Sequence, residues 1–124
     1  MLNKFAAIGR LTKDPEVRTT QSGKQCAHFT VACDRDFGQD PTTDFFDCIA
    51  WGKTCDFVKN YLSKGRLVAV AGSVQFRDWT DKSGNKRKSC EIRCDDVWAL
   101  DKRQEPKQED FLEPINEDDG ELPF

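Results

Sequence analysis

Histidine is almost absent from this chain: His28 is the only one among 124 residues. One imidazole leaves a Cys/His metal cage short of ligands. No two of the six cysteines have the two-residue separation of a zinc knuckle or a redox motif. His28 lies beside Ala27 and Phe29 with no Ser/Asp arrangement for a triad, so catalysis ranks last among the readings, with a Cys26–His28 pair as its only foothold. A phosphate-cradling glycine loop is also missing, since neither Gly65 nor Gly72 leads into a Lys-Ser pair. No apolar run is long enough for a membrane span, and no signal-peptide pattern occurs. The expectation is a cytoplasmic protein, not an enzyme, with no metal, no cofactor and no membrane contact. In that compartment Cys26, Cys33, Cys48, Cys55, Cys90 and Cys94 are expected to be reduced, mostly as small core residues. Cys90 and Cys94 would share a strand face but stand about 13 Å apart, too far to bridge.

Charge is present in quantity but unevenly placed. Residues 101–124 hold nine acids and three bases, a net of −6, while the first hundred hold 16 bases and 13 acids, a net of +3. A mildly basic body therefore carries an acidic tail, and at this length one domain plus an appendage is all that fits. We place the boundaries at 1–100 for the domain, 101–116 for a disordered linker and 117–124 for an acidic tip. Four carboxylates in that tip precede Leu122, Pro123 and Phe124. An acidic run alone reads as solubilising. The apolar end reads as a docking peptide for a pocket with a basic rim, carried by Asp118, Asp119, Glu121, Leu122, Pro123 and Phe124.

The first hundred residues read as strands with one helix. Strands are expected at 3–12, 26–35, 45–51, 66–79 and 86–99, with Gly9 marking a bulge or bend in the first and Asp81–Asn85 a hairpin turn. The helix is expected at 55–64, with Thr54 as N-cap and Gly65 at the C′ position. Order β-β-β-α-β-β fits best an all-β, five-stranded OB-fold Greek-key barrel with a short helix after the third strand, although other small β-barrels give the same string.

Strand periodicity then sorts the large side chains. Phe45, Asp47, Ile49 and Trp51 share one face, Phe46, Cys48 and Ala50 the other. Farther on, Val74 and Phe76 are expected inside the barrel, with Gln75, Arg77 and Trp79 outside. An exposed tryptophan two residues from an arginine suits base stacking beside a phosphate contact, so Trp79 is the leading candidate. For Phe45 and Trp51 the pattern allows either core or stacking. Trp98, between Val97 and Ala99, reads as structural. Phe37 lies in a polar loop, and Lys82 with Lys86-Arg87-Lys88 makes a basic hairpin tip.

Taken in order, these segments resemble the bacterial-type single-stranded DNA-binding proteins. The similarity runs through Met1-Leu2-Asn3-Lys4, Ile8–Arg18, Ser22-Gly23 with Phe29–Ala32, Ala50-Trp51-Gly52-Lys53, Tyr61–Gly65, Val68–Gly72, and Trp79-Thr80-Asp81 with Gly84 and Lys86-Arg87. It covers residues 1 to about 100 and the tip. The resemblance implies an OB-fold, a homotetramer, binding of single-stranded DNA without sequence preference, and recruitment of replication and repair proteins by the tip. It places stacking aromatics on Phe37, Phe45, Trp51 and Trp79, and phosphate-contacting cations on Arg10, Arg18, Lys53, Arg77 and Arg87. Asp47, the Asp34-Arg35-Asp36 segment and Asp78 depart from the family's more basic pattern, which implies weaker or more salt-sensitive binding. The alternatives are an adaptor whose barrel is mainly a scaffold and an RNA-binding OB protein.

Overall fold

Alternation of apolar and polar residues sets the wall of the molecule. The computed structural model describes residues 1–35 and 41–101. It contains β1 (Phe5–Leu11), β2 (Glu16–Thr19), β3 (Gln25–Asp34), β4 (Thr43–Trp51), α1 (Gly52–Tyr61), β5 (Leu67–Thr80) and β6 (Lys86–Ala99). The strands hydrogen-bond in the order β1-β5-β6-β4-β3-β2, and β1 also pairs with β3, which closes the sheet on itself. All pairings are antiparallel except β4 with β6, set by Cys48 opposite Ile92. This is the expected OB-type barrel with its helix after the strand that ends at Trp51. Sequence reading missed β2, whose four residues carry one apolar side chain, Val17, too little for a periodic signal.

Closure depends on two glycines. A Cβ on Gly9 would run into the Ala32 carbonyl oxygen and Val31, where β1 swings from β5 to β3. A Cβ on Gly72 would run into the Arg93 carbonyl, at the β-bulge where Gly72 pairs with Cys94 and Ala71 with Asp96. The extra residue there, Asp95, explains why Cys94 and Val97, three apart, both point inward.

The lining consists of Leu11, Phe29, Val31, Cys48, Val68, Val70 and Ile92 with Val58 and Leu62 from the helix segment, all buried in one cluster. Each such Val, Leu, Ile or Phe contributes about 1.5–3 kcal/mol on burial, against about 0–1 for an exposed ion pair. Packing therefore holds the barrel. One polar lock supplements it. Arg66, 5% exposed, donates to Asp101 Oδ1 (2.7 Å) and to the Tyr61 carbonyl (2.9 Å), while the Leu67 N–H donates to Asp101 Oδ2 (3.1 Å). Burial pushes the Asp101 carboxyl up, but the Leu67 N–H and Arg66 outweigh it and hold the group below its ordinary range. Asp101, which the sequence reading assigns to the linker, thus belongs to the barrel seam.

Two expectations need correction. The helix begins and ends three residues early. Gly52, at φ 59°, turns the chain straight from strand into helix, Trp51 is the N-cap residue without a side-chain cap, and the Thr54 hydroxyl donates to the Asp95 carbonyl (3.1 Å) instead of capping. Leu62, not Gly65, closes its C-terminal end. Phe76 is not interior: it is 65% exposed, because β5 and β6 run past the barrel as a two-stranded arm on which its partner Cys90 is exposed as well. Val74, at the root of that arm, does pack against the core.

The cysteines are all free. Cys26, Cys48, Cys55 and Cys94 are buried, Cys33 is half-buried and Cys90 is exposed. The Cys94 hydrogen bond, then burial, pushes the Cys48 thiol up; burial, then Asp44, raises Cys33, and burial, then Asp56, raises Cys55. Such thiols are poor nucleophiles. No helix of the described residues is long and apolar enough to cross a membrane, and among them no group of three His, Cys, Asp or Glu is placed to hold a metal ion.

Candidate nucleic-acid interface

Because inward positions on β3 and β4 are filled by Ala27, Phe29, Val31, Cys48 and Ala50, the alternate residues face out and line up across the sheet. Register gives these rows directly. Arg10, Ala32 and Phe45 form one, and Arg18, Cys26 and Trp51 another. Between them lie Thr30 with Asp47, and the row Glu16, His28, Ile49, Arg93 and Ser73. On the arm, Arg77 opposes Ser89 and Trp79 opposes Arg87, continuing the same outer side.

Three predicted stacking residues are therefore available to solvent. Phe45 is 64% exposed, Trp79 is 46% exposed and Trp51 is half-buried. The indole N–H of Trp79 donates to Ser89 Oγ (2.6 Å), which fixes the ring along the arm and leaves its π face free for a base. Trp51 borders a cavity of about 620 Å³ whose wall includes Lys24, Gln25, Asp56 and Arg93. Phe37 and the six tip residues Asp118, Asp119, Glu121, Leu122, Pro123 and Phe124 lie outside the described residues.

The predicted cations sit among these rings, mostly in exposed internal pairs. Arg18 contacts Glu16 (3.1 Å), Arg77 contacts Glu91 (3.4 Å) and Arg87 contacts Asp81 (2.9 Å). Arg10 donates to the Gly65 carbonyl (3.0 Å) and lies 4.0 Å from Asp101. Lys53 is exposed on the first turn of α1, two residues from Trp51. The guanidinium of Arg87, then the backbone N–H of Asn85, holds the Asp81 carboxyl below its ordinary range, so this pair shapes the arm's turn. Exposed pairs of this sort are worth about 0–1 kcal/mol, so exchanging a carboxylate for a phosphate costs little.

The acids singled out in the sequence differ in placement. Asp78 points to the opposite side of the arm from Trp79 and pairs with Lys88 (3.7 Å), and Asp34 accepts from the Thr43 hydroxyl (2.7 Å). Asp47 does stand on the aromatic face, accepting from Thr30 Oγ1 (3.1 Å). Sequence reasoning missed Arg93 and Lys24. Arg93 was legible, since Ile92 and Cys94 inside require it outside; Lys24 sits in a turn, where no periodicity applies. Cys26 Sγ lies 3.7 Å from His28 Nε2, but the sulfur's residue is only 4% exposed, closing off a substrate.

Trp98, read from the sequence as structural, lies on the outside of the barrel. It is 50% exposed, in a row with Ala69 and Ile8, the latter 62% exposed, and Leu100 beside them is 46% exposed. The irregularity at Asp95 shifts the alternation of β6 and turns Trp98 outward.

The description "Single-strand binding protein family" fits residues 2–100 of this chain. The chain is 46% identical over 105 residues to a single-stranded DNA-binding protein of Caldanaerobacter subterraneus subsp. tengcongensis, covering 82% of this chain and 69% of that one. It is 42% identical over 104 residues to single-stranded DNA-binding protein 1 of Staphylococcus aureus, spanning 62% of that relative's length and 82% of its own. Against single-stranded DNA-binding protein 1 of Streptococcus pyogenes serotype M18 it is 35% identical over 130 residues, covering 100% of both. In three dimensions it is similar to the Plasmodium falciparum SSB complex with ssDNA, with a TM-score of 0.75, 27% identity, and coverage of 82% of this chain and 96% of that one.

Proposed function

The chain belongs to the single-strand binding protein family, and on that premise we propose that it coats single-stranded DNA through the outer face that carries Phe45, Trp51 and Trp79. The observation that carries this reading is the interleaving of the exposed Phe45 and Trp79 rings and the half-buried Trp51 with Arg10, Arg18, Arg77 and Arg87 on one side of the barrel and its arm, with Lys53 exposed two residues beyond Trp51. Bases stack on the rings whatever their identity, because every base has a π face; each stacked base is worth about 1–3 kcal/mol. The cations hold phosphates and release counterions, so affinity falls as salt rises. Phe37 belongs to the same set by family likeness. The protein acts as a binding protein, not an enzyme, and works in the cytoplasm on exposed strands during replication, recombination and repair.

The proposal includes a homotetramer. Support comes from the apolar outer face of β1, β5 and β6, where Ile8, Trp98 and Leu100 meet water in a single copy; contiguous exposed apolar surface of this kind marks a contact. Several DNA sites in one assembly let a strand wrap, with avidity from linkage. Residues 1–100, with Asp101 joined to the barrel seam, form the DNA-binding domain, the residues from there to 116 a linker and 117–124 a docking tip for replication and repair proteins.

Anisotropy of a labelled oligodeoxynucleotide, at two salt concentrations and beside light scattering, tests the whole reading. Tight binding that weakens with salt, at four times the chain mass, is the expected result. Salt-independent or absent binding overturns it and leaves the adaptor reading. Preference for a ribo-oligonucleotide competitor would favour the RNA-binding alternative. Removing residues 117–124 is expected to abolish partner pull-down while DNA binding stays equal or tightens. Unchanged pull-down would end the docking proposal.

A further inference from the structure

We infer that Asp47 faces base edges of the bound strand and biases the site toward bases bearing an amino group, over thymine. The inference rests on the DNA-binding reading of this face. Asp47 is exposed at the middle of the face, two residues along β4 from Phe45, a spacing of about 7 Å. A base lying on the Phe45 ring therefore brings its edge near the carboxylate. Asp47 and Glu91 immediately precede the paired Cys48 and Ile92 and line the same cavity, but the two acids are not equivalent. Glu91 is engaged by Arg77 (3.4 Å). Asp47 has only the Thr30 hydroxyl on Oδ1 (3.1 Å), and no cation lies within ion-pair distance among the described residues. A cavity of about 240 Å³ opens here, lined by Asp47, Thr30 and Glu91 together with Arg18, Arg77 and His28.

Chemistry decides what faces that carboxylate, which shares its cavity with Lys13, Arg18 and Arg77 but forms no ion pair with them. A phosphate is repelled, and the guanidiniums of Arg18 and Arg77 on the same cavity offer it a better place. An ionised carboxylate only accepts hydrogen bonds. Cytosine N4, adenine N6 and guanine N2 each present an amino donor, and carboxylates pair with the cytosine amino group in groove recognition. Thymine presents one N–H between two carbonyl oxygens, and both carbonyls are repelled by the acid. Stacking remains indifferent to sequence, so the result is a graded bias in base composition superimposed on general binding.

Anisotropy titrations of the full chain with oligo(dT), oligo(dC) and oligo(dA) of equal length test this, repeated with Asp47→Asn. The amide keeps the shape and the acceptor for Thr30, loses the charge, and gains a donor that suits thymine carbonyls. All affinities are expected to rise as repulsion is lost, with oligo(dT) rising most, so that the preference for oligo(dC) relative to oligo(dT) drops about five- to tenfold. Loss of a general electrostatic or structural role would move all three oligonucleotides together and leave the ratios as they were. Unchanged ratios therefore overturn the inference while leaving the DNA-binding reading intact. Failure of every oligonucleotide to bind overturns both.

Discussion

Trp79 and Trp98 are nearly equally exposed, at 46% and 50%, yet they stand on outer faces of opposite chemistry. Around Trp79 are Arg77, Arg87 and the bonded Ser89; around Trp98 are Ala69, Ile8 and Leu100. Exposure of a ring says only that it can be reached. Its neighbours decide what reaches it: a polyanion that also needs stacking in the first case, an apolar surface such as a second copy of the chain in the second. On the proposed reading one barrel offers separate walls for DNA and for assembly, and changes on either wall are expected to leave the other property readable.

The largest effect comes from breaking what both walls share. Asp101→Ala leaves the buried guanidinium of Arg66 unpaired and is expected to cost about 3–5 kcal/mol of stability, seen as a lower Tm, with DNA binding and assembly lost together. The same lock sets a pH dependence. The folded Asp101 carboxyl lies below its ordinary value of 3.8, so its contribution is fully present above that value and is lost as pH falls through the lower, folded one. Acid unfolding monitored by circular dichroism is expected to shift to higher pH in a less stable background.

Next comes the assembly wall. Ile8→Asp places a charge in the apolar row and is expected to weaken association by about 2 kcal/mol or more, giving smaller species by light scattering. A single chain should still quench on oligo(dT), though with less avidity. Trp79→Ala sharpens the comparison from the other side. It should cost about 1–3 kcal/mol of DNA affinity by anisotropy while the assembly mass stays constant. Smallest is Arg77→Ala, which removes one proposed phosphate contact and is expected to lower the salt slope of binding by about one, with a modest affinity loss.

Much of this division was legible in the sequence. Alternation alone put Phe45 and Asp47 opposite Phe46 and Cys48, and β6 spans the predicted residues 86–99. Failures cluster where local pattern is overruled by something distant. Thr54 is a good cap in isolation, but its hydroxyl donates to the Asp95 backbone carbonyl instead. Phe76 alternates like a core residue, yet the barrel ends before it. Trp98 alternates inward only until the bulge at Asp95 resets β6. For β2, one valine gives no period to detect, and pairing with β3 makes the strand.

Intrinsic tryptophan emission during titration with oligo(dT) tests the central claim most directly. If rings on the DNA wall lie against bases, emission falls to saturation and Trp79→Ala removes part of the quench, while a Trp98→Phe chain quenches as fully in proportion. Saturated binding with no change in emission, or a quench carried entirely by Trp98, would contradict the account.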